Sequence, residues 1–199
     1  MRSKSEQRRA HILQVAAATF TELGVENTTM SEIVNRIGGS KSTIYSYYPS
    51  KAELVQAVVN HAAEIKLREA FMLLDPASPL ADTLRQFGRT YLAQLLTPEM
   101  LSAMRIAQQD GARSATGQHF YANGPRVGWN MMQTWLEQQA AAGTLVDCDG
   151  RVAAMHLKGL LQSELLDQAM YGLPPPPAPA IQQAAERAVA TFLLAYAPR

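Results

Sequence analysis

One cysteine, Cys148, stands among 199 residues, so no intramolecular disulfide can staple the fold, which suits a reducing compartment. Long apolar runs are also missing. No stretch approaches the roughly 18 apolar residues that span a bilayer. The opening residues MRSKSEQRRAHILQ are too polar for the apolar region of a signal peptide. A soluble, cytoplasmic protein with no membrane partner is therefore expected. Strong net charge is absent too: the formal value is +1, which excludes a polycation. No segment alternates as a half-exposed strand would. Metal and catalytic patterns are lacking. His11, His61, His119 and His156 are far apart, and there is no H-E-x-x-H, C-x-x-C, glycine-rich phosphate loop or G-x-S-x-G elbow. No catalytic residue, metal ligand or cofactor is expected, and an enzyme is a distant reading.

What is present is helical periodicity almost throughout, so the expected class is all-α: a small three-helix head and a larger helical body. Three capping boxes punctuate the first part: Ser3-x-x-Glu6, Thr29-x-x-Glu32 and Ser50-x-x-Glu53. They open helices one, two and four. Gly24 and Gly38-Gly39 stop helices one and two, and Pro49 closes a short helix from about Ser40 to Tyr47. Helix four reads as running towards Leu74. Asp75-Pro-Ala-Ser-Pro79 is the expected domain boundary, with Ser78 as N-cap before Pro79. This predicts a head over 1–50, a connecting helix over 51–74 and a body over 75–199. Further helices are expected at roughly Pro98–Arg113, Ser114–Ala122, Pro125–Ala142, Gly150–Tyr171 and Ala180–Ala197. A stiff proline linker, Leu173 to Pro179, precedes the last.

Charge is unevenly placed. From Met1 to Lys51, seven Lys/Arg face four acids, leaving +3, and the remainder carries −2. A basic head on a mildly acidic body suits nucleic acid. Two helices joined by a tight glycine turn, the second short and polar outside, describe a helix-turn-helix. Ile33, Ile37, Ile44 and Tyr48 form its expected inner face with Phe20 and Leu23. Lys41, Ser42, Thr43, Tyr45 and Tyr47 point outward, with hydroxyls and an ammonium suited to phosphates and base edges. Backbone amides at Thr29 can hold a phosphate, and Lys51 is placed to hold another.

The pattern T-T-x-x-E-I-x-x-x-x-G-x-S-K-x-T-x-Y-x-Y-Y-P-S-K-x-E-L resembles the N-terminal domain of TetR-family transcriptional regulators. The resemblance implies DNA contacts from Thr29, Ser40, Lys41, Thr43, Tyr45, Tyr47, Tyr48 and Lys51. Three positions depart from the family's habit: Ile37 for alanine, Gly39 for an aliphatic residue, and Ser42 for glycine.

The body has no motif of that strength, but it is rich in large, adaptable side chains. Phe71, Met72, Phe87, Tyr91, Met104, Phe120, Tyr121, Trp129, Met132 and Trp135 suit either plain core or a cavity for an apolar or aromatic ligand. Gln108, His156, Gln162 and Glu164 are the candidate orienting groups. Arg105-Ile106, Phe120-Tyr121, Gly124-Pro125, Gly143 and Gly159-Leu160-Leu161 make the body similar to the AefR-like domain found on some of these regulators. That similarity implies a homodimer through the two C-terminal helices. Candidate faces are Met155, Leu160, Leu166 and Met170 on one helix, and Ala184, Ala188, Thr191, Phe192 and Ala195 on the other.

The reading that unites these features is a homodimeric, one-component transcriptional repressor. It binds a palindromic double-stranded operator and is released by a small apolar or aromatic effector. The alternative is a small-molecule-binding protein whose head has lost specific DNA recognition.

Overall fold

The computed structural model describes residues 4–38, 40–65, 67–110 and 116–198. Every regular element among them is an α-helix: α1 (Lys4–Leu23), α2 (Met30–Ile37), α3 (Lys41–Tyr47), α4 (Lys51–Ile65), α5 (Arg68–Phe71), α6 (Leu80–Leu95), α7 (Pro98–Asp110), α8 (Thr116–Asn123), α9 (Pro125–Ala141), α10 (Gly150–Gln162), α11 (Leu166–Met170) and α12 (Ala178–Tyr196). The Ser3 cap, Gly39 and the expected helix break at Arg113–Ser114 lie outside the described residues.

Helix starts follow the capping chemistry. Thr29 Oγ1 accepts the Glu32 N–H at 3.1 Å, and Ser40 Oγ accepts the Thr43 N–H at 3.2 Å. Ser50 Oγ accepts the Glu53 N–H at 3.2 Å, and Asp149 Oδ1 accepts that of Val152 at 3.0 Å. Each such cap contributes about 1 kcal/mol.

Four boundaries differ from the sequence expectation. Ser78 does not cap α6. Its hydroxyl donates to Asp75 Oδ2 at 2.9 Å while Asp75 Oδ1 takes the Ala77 N–H at 2.9 Å, leaving Pro79 in the cap position. Those two bonds hold the Asp75 carboxyl below its ordinary value. Second, α4 ends at Ile65 and the separate turn of α5 follows, so helix four does not run on to Leu74. Third, the expected helix from Gly150 to Tyr171 breaks after Gln162, where Ser163 Oγ donates to the Leu160 carbonyl at 2.9 Å. A serine hydroxyl competes in this way for helical carbonyls. Fourth, α12 begins at Ala178, with Pro179 inside its first turn, where a missing N–H costs nothing.

The helices form two compact units, Met1–Ala63 with Pro98–Phe120 and Glu64–Thr97 with Tyr121–Arg199. In the first, Ile12, Phe20, Ile33, Ile37, Ile44, Tyr48 and Leu54 make one buried cluster, and Ile106 of α7 packs against it. In the second, α12 lies on α6 and α10, α10 lies also on α9, and α5 rests on α6 and α9. Its centre is aromatic. The Phe71 ring stands 5.1 Å from Phe87, 6.0 Å from Tyr91 and 5.5 Å from Trp129, centroid to centroid. Gly128 is required there: a Cβ would meet Phe71 Cε2 at 2.2 Å, far inside van der Waals contact. Carboxylate–guanidinium pairs brace the outside, with Glu186 held by Arg85 and Arg89, and Glu164 by Arg187.

Candidate nucleic-acid interface

The turn between α2 and α3 is set by Gly38. Its φ of +67° is a backbone state that side chains with a Cβ rarely adopt, and its N–H returns to the Val34 carbonyl at 3.1 Å. Arg8 of α1 donates to the Gly38 carbonyl at 3.0 Å, fixing the turn from outside. Helix α3 then divides by its period. Ile44 and Tyr48 are buried, Lys41, Ser42 and Ser46 are exposed, and Thr43, Tyr45 and Tyr47 are half-buried. The buried residues anchor the helix; the exposed ones form a continuous polar strip with aromatic edges.

Within that strip the hydroxyls are already organised. Ser40 Oγ lies 2.9 Å from Ser42 Oγ and 2.7 Å from Thr43 Oγ1. The Lys41 ammonium sits 5.6 Å from the Tyr45 ring centroid, within cation–π range. Ser5 Oγ lies 3.4 Å from the Tyr47 hydroxyl, so the first turns of α1 border the same surface. Sequence reasoning passed over Ser5 and Arg8. The only available signal was their position near the start of a helix that must pack on α3.

Two expected contact residues are placed elsewhere. Tyr48 is 3% exposed. Its hydroxyl accepts a hydrogen bond from Arg9 Nε at 3.2 Å, and the Arg9 guanidinium lies 5.8 Å from the ring centroid. Lys51, expected to hold a phosphate, instead donates to the carbonyls of Val25 at 2.7 Å, Thr28 at 2.9 Å and Glu26 at 3.4 Å. It clamps the loop that leads into the Thr29 cap. Arg36 is likewise occupied, bridging Glu22 at 2.6 Å and Glu32 at 2.7 Å. Its guanidinium holds the Glu22 carboxyl below the usual carboxylate range.

The expected ligand-binding side chains are shared between the two units. Phe71, Phe87, Tyr91 and Trp129 fill the second unit's centre, with Met132 fully buried nearby in the sequence of α9. Gln162 Nε2 donates to the Tyr91 hydroxyl at 2.7 Å, and burial pushes that phenol's pKa well up. Met104, Gln108 and Phe120 belong to the first unit. Gln108 is exposed and Tyr121 is 54% exposed. His156 is also exposed, with Nδ1 2.6 Å from the Tyr196 hydroxyl. Trp135 does not join the aromatic cluster; it lines an open groove with Leu74, Val127 and Met131.

The expected dimer residues divide as well. Ala184, Ala188 and Phe192 are buried within the subunit against its own helices, which removes them from an outer face. Met155 is exposed, and Leu160, Leu166 and Met170 are half-buried. The outer face of α12 instead carries Thr191, Ala195 and Leu194, the last 87% exposed. Among the described residues no three His, Cys, Asp or Glu side chains converge as metal ligands, and no helix is long and apolar enough to cross a membrane.

Residues 82–198 match the AefR-like transcriptional repressor C-terminal domain, and residues 12–58 match the bacterial regulatory proteins of the tetR family. The HTH-type transcriptional regulator TtgR of Pseudomonas putida is 32% identical over 40% of this chain and 39% of its own. The chain spans less than half the length of the first curated relatives it matches. Solved structures align over nearly everything. A TetR-family transcriptional regulator from Mesorhizobium loti is 25% identical with a TM-score of 0.86, covering 99% of this chain and 100% of that one. The flavonoid-responsive regulator FrrA is 28% identical with a TM-score of 0.72, covering 98% and 99%.

Proposed function

Because the chain belongs to the TetR family of bacterial transcriptional regulators, we propose that it is a ligand-responsive repressor that binds a palindromic operator as a homodimer. The single observation that carries the DNA-reading part is the division of α3. Ile44 and Tyr48 are buried, while Lys41, Ser42 and Ser46 are exposed and Thr43, Tyr45 and Tyr47 half-buried on a helix capped at both ends. A helix held in this way suits a major groove. Lys41, Tyr45 and Tyr47 supply charge and aromatic edges, Ser40, Ser42 and Thr43 supply hydroxyls, and the α2 amides behind Thr29 supply a phosphate seat. Tyr48 and Lys51 act from behind, by holding α3 and the loop before α2.

A two-fold dimer pairs two such helices with half-sites about one helical turn apart, roughly 34 Å or somewhat more. The outward faces of α10 and α12, with Met155 and Leu194, are the surfaces we assign to it. Gly159 supports this, because a Cβ there would meet nothing within 4 Å, so another helix can come close. The effector is a small apolar or aromatic molecule taken by the helical body, in keeping with the flavonoid-responsive description of FrrA. It releases DNA by binding the DNA-free conformer better, with coupling of about 1–3 kcal/mol. The protein acts in the cytoplasm, where its operator is, and no enzymatic step is assigned to it.

Selection of bound duplexes from a random DNA library tests this reading. The expected result is an enriched palindrome. A folded protein that enriches nothing, with and without a panel of apolar aromatic compounds, would overturn it in favour of a ligand-binding protein without specific DNA recognition.

A further inference from the structure

A groove of about 490 Å³ opens on the second unit, walled by Leu74, Val127, Met131 and Trp135, with Thr134 and Gln138 among its polar groups. Its volume lies in the range of small-molecule sites, and no charged side chain lines it. The distinguishing atom is Trp135 Nε1. Trp135 is 3% exposed, and its indole nitrogen is a buried side-chain atom with no hydrogen-bond partner. An indole N–H can only donate, and a buried donor without an acceptor is costly. The aromatic centre of the same unit offers a contrast, since the Tyr91 hydroxyl takes a hydrogen bond from Gln162 at 2.7 Å. Trp135, which carries the unmet donor, lines the groove and makes no ring contact with that centre.

We propose that this groove is a binding site for a neutral amphiphile: an aromatic or aliphatic body with one acceptor oxygen, such as a ketone, that takes the Trp135 N–H. The apolar walls exclude an ion, because nothing in the lining would neutralise it. Val127 and Met131 stand 50% and 38% exposed at the mouth, so entry needs no opening of the core. Met131 is unbranched and adapts to varied shapes. The site therefore requires such side chains to rotate so that an acceptor reaches the buried indole edge. The proposal does not rest on the DNA-reading role of α3, because its test reads ligand binding alone.

The test uses the full chain and two probes that differ in one group, benzophenone and its hydrocarbon counterpart diphenylmethane. Tryptophan quenching gives their affinities, and ultraviolet irradiation of bound benzophenone labels neighbouring C–H bonds for mapping by mass spectrometry. The expected result is a preference for the ketone of roughly tenfold, the upper size of one neutral hydrogen bond, with the label on Met131 or Val127. Trp135→Phe keeps an aromatic ring and loses the donor, so the preference disappears while diphenylmethane still binds, both affinities of this variant being read by calorimetry. Val127→Gln, at an exposed position, weakens both probes and serves if the tryptophan variant does not fold. Equal affinity of wild type for the two probes, no saturable binding, or a label on Phe87 or Met132 in place of the groove overturns the proposal.

Discussion

The Lys51 ammonium lies 2.7 Å from the Val25 carbonyl oxygen and closes a loop 26 residues earlier in the chain. Two further carbonyls, of Thr28 and Glu26, complete the clamp. The cation thus fixes the entry to the Thr29 cap, and through it the angle at which α2 and α3 are presented. Lys51→Met is expected to lower stability by about 1.5–3 kcal/mol, the scale of hydrogen bonds to a charged group. Operator affinity falls with it, but the slope of log affinity against log salt stays unchanged. Urea unfolding and a salt titration separate the two. A reduced slope would return Lys51 to the phosphate contacts.

Lys41 is the opposite case, exposed at the start of α3 with its charge beside Tyr45. Lys41→Ala should leave the melting curve in place and weaken binding across all duplexes. Its salt slope should fall by about 0.9 per subunit. Tyr45→Ala should weaken operator binding with little change of slope. Affinity like wild type in both variants would remove α3 from recognition.

Gly128 and Phe71 share a space that admits no Cβ. Gly128→Ala is expected to destabilise by about 1–3 kcal/mol, the usual cost of overpacking. Phe71→Leu in the same chain should recover part of that loss, because the two sites are coupled. Additive losses in the thermal melts of the single and double variants would mean that the ring is not the obstacle.

For the assigned dimer face, Met155→Glu with Leu194→Glu should give folded monomers by sedimentation, because both side chains are already exposed in the subunit. Phe192→Ala should behave differently. Its ring is fully buried and stacks on Tyr196 at 4.6 Å, so it should destabilise the fold by about 3–5 kcal/mol. A dimer that survives the double charge substitution would place the interface elsewhere.

Acid should loosen the surface ion pairs. Arg36 and Arg187 hold the Glu22 and Glu164 carboxyls below their ordinary values. A depressed carboxyl binds fewer protons folded than unfolded, so stability rises with pH. The contribution is present above the ordinary carboxylate range and is lost as pH falls through the lowered values. Glu22→Gln with Glu164→Gln should therefore flatten the acid limb of urea midpoints between neutrality and about pH 3. An unchanged limb would mean that these exposed pairs are screened out.

Much of the helix-turn-helix was legible in residues close together in the chain. Thr29 and Ser40 cap α2 and α3 through amides three residues on, and Gly38 turns between them. Such signals close within one helical turn, so local sequence suffices. The break after Gln162 was not legible, because neither proline nor glycine marks it and a serine hydroxyl reaching back to Leu160 accompanies it.

Helical class, the order of most elements and the outward hydroxyls of α3 were therefore determined by the sequence itself, through capping, turns and a 3.6-residue period. Tertiary structure decided which groups remain available. Lys51 turned inward to carbonyls, and Tyr48 was covered and held by Arg9. Phe192 faced its own subunit, and Tyr91 found Gln162 71 residues away while the Trp135 N–H found no partner. The physical reason is range. Capping and periodicity act over a few residues, whereas burial and the pairing of a polar atom depend on what long-range packing brings beside it.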